Sequence, residues 1–99
     1  MSYVIGIDLG TSAVKVNLMD TNGEVVQAVS KSYPLSHIKP GYSEQNPQHW
    51  VDETAVAIEQ LLQQFTGSPE EIVGISYSGQ MHGLVVLDEN NEILRPAIL

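Results

Sequence analysis

Cysteine is absent from the 99 residues of the chain, and basic residues are scarce. Without cysteine the chain has no disulfide framework and no thiolate metal site, which is compatible with the cytoplasm, where we expect the protein to act. Four Lys and Arg residues stand against twelve Asp and Glu residues, so the formal net charge is −8. Neither nucleic acid nor an anionic membrane attracts such a chain, and we expect neither as a partner.

Apolar runs long enough to span a bilayer are also missing, so no transmembrane segment is predicted. What is present is a hydrophobic content of 42% with charges scattered along the chain. That composition is typical of a globular protein rather than a disordered one. A chain of this length forms a single domain with a modest core and is too short for two lobes.

One stretch near the start of the chain combines an apolar run with a carboxylate, Asp8, and a turn of small residues, Gly10, Thr11 and Ser12. Alternation of apolar and polar residues over 14–19 predicts a second strand after this turn. Successive N–H groups in such a turn form a concavity that suits an anion, and a neighbouring carboxylate suits Mg²⁺. The stretch is equally compatible with a phosphate-binding loop and with a plain hairpin in which the aspartate caps the turn.

The whole sequence predicts an α/β fold with the element order β-β-β-α-β-β-β. Asn46 and Pro47 indicate the start of the helix, because they suit the N-cap and the first helical position. The helix then presents an apolar face at helical spacing. The predicted strands cover residues 3–9, 14–19, 24–33, 72–78, 84–88 and 93–97, and the predicted helix covers residues 46–64.

A strand that follows a helical crossover normally runs parallel to its neighbour in the same sheet. We therefore expect one mixed sheet in which strand 3–9 is central and lies beside strand 72–78. Ligands of open α/β sheets bind at the carboxyl ends of such strands. This predicts one pocket faced by residues 8–11 and by residues 78–83. For His82 in that segment, the residues alone favour a hydrogen bond to a backbone carbonyl over contact with a ligand. Two aromatic residues, Trp50 and Tyr77, are predicted to belong to the core.

The chain resembles the start of the FGGY carbohydrate kinases in three motifs that occur in the family's order. The motifs are GIDLGTS at residues 6–12, YSEQNP at residues 42–47 followed by Trp50, and GQMHG at residues 79–83. The resemblance implies a ribonuclease H-like, actin-like ATPase fold. Residues 1–99 would then form part of the N-terminal, sugar-binding lobe of a longer protein whose C-terminal lobe is absent here.

The resemblance also implies substrates and roles for individual residues. The implied substrates are ATP with Mg²⁺ and a sugar, and the similarity is strongest to family members that convert D-xylulose to D-xylulose 5-phosphate. Asp8 would position the Mg²⁺–ATP phosphates, with the metal held through water. The phosphate hairpin would consist of Gly10, Thr11 and Ser12, and the sugar contacts would come from Gln80, Met81 and His82. In such kinases the aspartate that accepts the proton lies later in the chain, so we expect these residues alone to be inactive.

Two alternatives stay open at this point. A kinase for gluconate or another sugar of the family would share most of these motifs. A non-enzymatic actin-like ATPase scaffold would share residues 8–11 but would not need the polar segment 80–82. Because one helix covers only part of one face of the predicted sheet, we also expect a homo-oligomer that associates through exposed sheet surface.

Overall fold

The computed structural model describes residues 1–81 and 83–99. The elements are β1 (Tyr3–Leu9), β2 (Ala13–Asp20), β3 (Val25–Ser32), β4 (Glu44–Gln45), α1 (Pro47–Gln64), a 3₁₀ helix (Pro69–Glu71), β5 (Ile72–Gly79) and β6 (Ala97–Ile98). Strands β1, β2 and β3 form an antiparallel meander, which helix α1 connects to strand β5. The two further strands, β4 and β6, have two residues each.

The main sheet has the order β3-β2-β1-β5, so β1 is central as predicted. It runs antiparallel to β2 and parallel to β5. Because β1 and β5 are parallel, their carboxyl ends lie at the same edge of the sheet, where Leu9 is in register with Gly79. The predicted mixed sheet with a helical crossover is confirmed.

Helix α1 begins where the sequence predicted, because the Asn46 side chain accepts a hydrogen bond from the Gln48 N–H at 3.0 Å and Pro47 occupies the first turn. Two of its buried residues, Ala57 and Leu61, join a core formed by one face of the main sheet. The helix packs mainly on β2 and β3. In the described ranges, 1–81 and 83–99, no helix has the length and hydrophobicity needed to cross a membrane.

The prediction of a six-stranded sheet is wrong, and the closing hairpin predicted at 84–88 and 93–97 is much shorter than expected. Only one bridge, between Leu87 and Ile93, connects these segments, and β6 pairs with β4 in a separate small sheet. Leu84 exchanges two hydrogen bonds with Ile98, at 2.8 and 3.1 Å, so the last residues fold back towards β4. Pro96, which has no N–H to donate, interrupts the second segment of the predicted hairpin.

The prediction that Tyr77 belongs to the core is also wrong, since its side chain is 74% exposed. It lies on β5, an edge strand of the main sheet, together with exposed Val73 and Ile75. Helix α1 covers the other half of this sheet face and leaves an open apolar groove of about 390 Å³ beside Tyr77. Trp50 borders the same groove and is half-buried.

Candidate functional site

Asp8 lies near the carboxyl end of β1 on the sheet face opposite α1. Successive side chains of a strand point to opposite faces of the sheet, and the preceding residue, Ile7, is buried in the core on the α1 side. The carboxylate is exposed, and its neighbours in register are Lys15 on β2 and Ser78 on β5. These strands border a shallow cavity of about 220 Å³ that Asp8, Asn17 and Ser78 help to line. Asp8 is therefore available to a solvated cation or a phosphate at this edge of the sheet.

The turn after β1 is held in shape by Tyr33, which follows β3. Its hydroxyl donates to the carbonyl of Gly10, and its backbone N–H donates to the carbonyl of Ser12 at 3.1 Å. The turn itself closes through the Gly10 N–H, which donates to the Ala13 carbonyl at 3.0 Å. A Cβ at Gly10 would stand 3.1 Å from that same carbonyl oxygen, so a larger residue would strain the turn.

The hydroxyl of Tyr33 remains a donor over a wide pH range. Burial and, as a smaller contribution, the negative charge of Asp8 raise the pKa of Tyr33 above its ordinary value of 10.0. Both causes disfavour the phenolate. The hydrogen bond to Gly10 is therefore present wherever the protein is expected to work.

Gln45, a residue of β4 that is only 2% exposed, connects the turn to two other parts of the chain. Its amide nitrogen donates to the carbonyl of Thr11. Its amide oxygen accepts hydrogen bonds from the Trp50 indole at 2.9 Å and from the Gln80 amide at 3.2 Å. One buried side chain thus joins the turn, helix α1 and the segment after β5.

The segment after β5 starts against the turn. The Gln80 N–H donates to the Leu9 carbonyl at 3.0 Å, and the Thr11 hydroxyl lies 3.4 Å from the Gln80 amide oxygen. An open cavity of about 320 Å³ lies here, lined in part by Thr11, Gln80 and Met81. Met81 is 87% exposed. The structure therefore brings three of the predicted site residues to one cavity.

His82, the remaining residue predicted to contact the sugar, lies outside the described residues. Asp8 lines a different cavity from Thr11 and Gln80. The predicted single pocket is thus two cavities, one beside Asp8 on the sheet and one beside Thr11 and Gln80.

A metal at this edge would rely on few protein ligands. Across residues 1–81 and 83–99, no group of three or more His, Cys, Asp or Glu side chains could hold a metal ion. One exposed carboxylate, Asp8, suits Mg²⁺, which keeps several waters and is commonly held by one or two carboxylates together with substrate phosphates. This donor set does not suit a structural ion that needs a complete set of protein ligands.

The sequence reasoning missed two buried polar residues, Glu44 and Gln45. Glu44 is 1% exposed and forms an ion pair with Arg95, which connects β4 to the segment before β6. Both residues belong to the YSEQNP motif, which was the only signal that could have indicated their importance. Their burial depends on the pairing of β4 with β6, and the sequence predicted a loop at β4.

Comparisons with known proteins agree with this geometry. The model of the FGGY family of carbohydrate kinases, N-terminal domain, matches residues 3–99. A xylulose kinase of Bacillus subtilis is 57% identical over 99 residues, which are 100% of this chain and 20% of that protein.

Solved structures show the same architecture. A ligand-bound xylulose kinase from Lactobacillus acidophilus superposes with a TM-score of 0.90 at 41% identity, over 99% of this chain and 19% of that one. A gluconate kinase from the same organism superposes with a TM-score of 0.89 at 41% identity, over 98% of this chain and 19% of that one. The chain thus spans about a fifth of the length of these relatives. The predicted actin-like fold is confirmed, and the chain belongs to the FGGY family of carbohydrate kinases.

Proposed function

We propose that the protein containing this chain transfers the terminal phosphoryl group of ATP to D-xylulose and forms D-xylulose 5-phosphate. The observation that carries the proposal is the turn at residues 10–12, which lies directly beside the cavity formed by Gln80 and Met81. A phosphate site and a polar site next to each other are what a sugar kinase requires. The 57% identity to a xylulose kinase supports this choice of sugar.

At the turn, the chain's own contribution is positioning and charge. The backbone N–H groups of Thr11 and Ser12 would donate to phosphate oxygens, as in other anion-binding turns. Asp8 would hold Mg²⁺ through water, and the bound ion would neutralise charge on the phosphates. Phosphoryl transfer depends chiefly on such positioning and electrostatic stabilisation. ATP as a substrate also supports our proposal that the protein acts in the cytoplasm.

At the neighbouring cavity, the residues suit a polyol. The Thr11 hydroxyl and the Gln80 amide can each donate or accept hydrogen bonds, and Met81 offers an apolar wall. We propose that His82 adds a further contact to the sugar, as the family motif implies. The proton-accepting aspartate of the reaction would lie outside the 99 residues, so we expect these residues alone to be inactive.

The test is an ADP-release assay on the full-length protein with D-xylulose, D-gluconate and glycerol as separate substrates. The proposal predicts the highest kcat/KM with D-xylulose. Gluconate is the second candidate, because a gluconate kinase matches the structure almost as well as a xylulose kinase does. A preference for gluconate would overturn the assignment of the sugar. ATP hydrolysis that no sugar stimulates would overturn the assignment of kinase activity and favour a scaffold ATPase.

A further inference from the structure

We propose that Gln45 is a positioning residue, although it touches neither substrate. It fixes in one geometry the turn at residues 10–12, here called the phosphate turn, and the segment that begins at Gln80, here called the sugar segment. The proposal rests on the proposed sugar kinase function. It follows from the three hydrogen bonds of its side chain, which reach Thr11, Trp50 and Gln80.

The orientation of the Gln45 amide is determined by its partners. A glutamine amide has two N–H donors and one oxygen that accepts two hydrogen bonds. Here the oxygen accepts from two N–H donors, on Trp50 and Gln80, and the nitrogen faces a carbonyl, on Thr11. A flipped amide would place N–H against N–H and oxygen against oxygen. Since the side chain is buried and water is excluded, only one orientation satisfies every group.

Gln45 and Tyr33 together determine which way the turn's peptide groups point. The three carbonyls of residues 10, 11 and 12 all accept hydrogen bonds from these two residues. In a trans peptide the C=O and the following N–H point in opposite directions. Holding the Thr11 carbonyl inward therefore turns the Ser12 N–H outward. Within the described residues, neither the Thr11 N–H nor the Ser12 N–H has an acceptor, so both are available to phosphate oxygens.

The other end of the Gln45 amide holds the sugar segment. Gln80 donates from its side chain to the Gln45 oxygen and from its backbone to Leu9 at the end of β1. Loss of the Gln45 amide would therefore loosen two sites at once. This differs from Asp8, which would act on phosphates alone, and from His82, which would act on the sugar alone.

The test compares two substitutions at Gln45 in the full-length protein. Gln45→Met keeps the size of the side chain but removes all three hydrogen bonds. We expect kcat to fall about tenfold to a hundredfold, the scale of misplacing reacting groups, and the KM for sugar to rise severalfold. Gln45→Glu keeps the acceptor for Trp50 and Gln80 but loses the donor to Thr11. We expect it to lower kcat with the KM for sugar within about twofold of wild type.

The matched control is Gln48→Met on the first turn of α1, where the Gln48 side chain is exposed and bonds only Asp52 within the described residues. We expect wild-type kinetics from it. The proposal would be overturned if both Gln45 variants changed kcat and the KM for sugar to the same extent. It would also be overturned if neither variant changed kcat when kcat is expressed per folded molecule. If Gln45→Glu fails to fold because it buries a carboxylate, Gln45→Met compared with wild type and Gln48→Met decides. The comparison can be made with any sugar that the wild-type protein phosphorylates. An incorrect assignment of D-xylulose would therefore not affect the test of Gln45.

Discussion

The side-chain amide of Gln45 donates to the backbone carbonyl of Thr11, a residue 34 positions earlier in the chain. This hydrogen bond joins a two-residue strand to the turn that follows the central strand of the main sheet. It uses a carbonyl of the turn, and Gln45 itself is only 2% exposed. The backbone of the turn is therefore shaped from within the protein, and its N–H groups remain available for a ligand.

The ion pair between Glu44 and Arg95 predicts a large effect on stability. Glu44 is buried, whereas the Arg95 side chain is 47% exposed. Arg95→Met leaves a buried carboxylate without its cation and is expected to lower the free energy of unfolding by about 3 kcal/mol. Urea denaturation of the full-length protein measures this change.

The double variant with Glu44→Gln and Arg95→Met is the control for that prediction, because it removes the buried charge as well. We expect it to recover most of the lost stability. An Arg95→Met protein with an unchanged urea midpoint would show that solvent already screens the carboxylate.

Tyr33 predicts a pH dependence of stability at the alkaline end. The raised pKa of Tyr33 means that folding favours the neutral phenol, so the contribution is complete below the ordinary value of 10.0. It is lost as the pH rises above that value through the higher pKa of the folded state. Tyr33→Phe should lack this loss, and the difference in urea midpoint between wild type and variant should shrink above about pH 10. Tyr42→Phe, at an exposed tyrosine, is the control and should follow wild type.

The exposed apolar side chains of β5 predict self-association of the 99-residue chain. Val73, Ile75 and Tyr77 are exposed by half or more beside an apolar groove. Burial of such surface contributes about 25 cal/mol per Å². We expect a dimer or larger assembly in sedimentation at micromolar concentration, and a monomer after Ile75→Asn with Tyr77→Ser. Val25→Ser on the opposite edge strand is the control. A monomeric wild-type chain would refute the proposed homo-oligomer contact.

His82 gives a prediction that rests on the family motif. His82→Ala should raise the apparent KM for sugar about tenfold or more while kcat changes little, because a contact made equally in the ground and transition states is lost. Steady-state kinetics with varied sugar at saturating ATP measure this. His37→Ala, at an exposed histidine, is the control. A fall in kcat at constant KM would assign His82 to the chemical step instead.

The main sheet and α1 could be predicted because their signals are local. The apolar run before Asp8, the Asn46–Pro47 helix start and the apolar pattern after the helix each indicate one element. The crossover rule then places β5 beside β1. The short extent of the closing hairpin could not be predicted, because alternation over residues 84–97 does not show that Leu84 pairs with Ile98. Tyr77 resembles a core residue in sequence, and only the position of α1 over β2 and β3 leaves it exposed.

In the candidate site, too, the residues placed by local signals could be predicted and those placed by long-range contacts could not. The placement of Asp8, Thr11 and Gln80 at one edge of the sheet could be predicted, because the carboxyl ends of parallel strands meet there. Gln45 could not, since its role depends on three contacts with residues between 5 and 35 positions away. Long-range hydrogen bonds of this kind leave no periodic signal in a single sequence.

The most direct test of the account is the steady-state kinetics of Asp8→Asn in the full-length protein, with Asp52→Asn on the exposed side of α1 as the matched control. The substitution keeps the shape of the side chain but removes the charge proposed to face Mg²⁺–ATP. We expect kcat to fall at least about a hundredfold, the scale of a preorganised electrostatic group, with the KM for D-xylulose nearly unchanged. A variant with near-normal kcat would contradict the assignment of this edge of the sheet as the phosphate site.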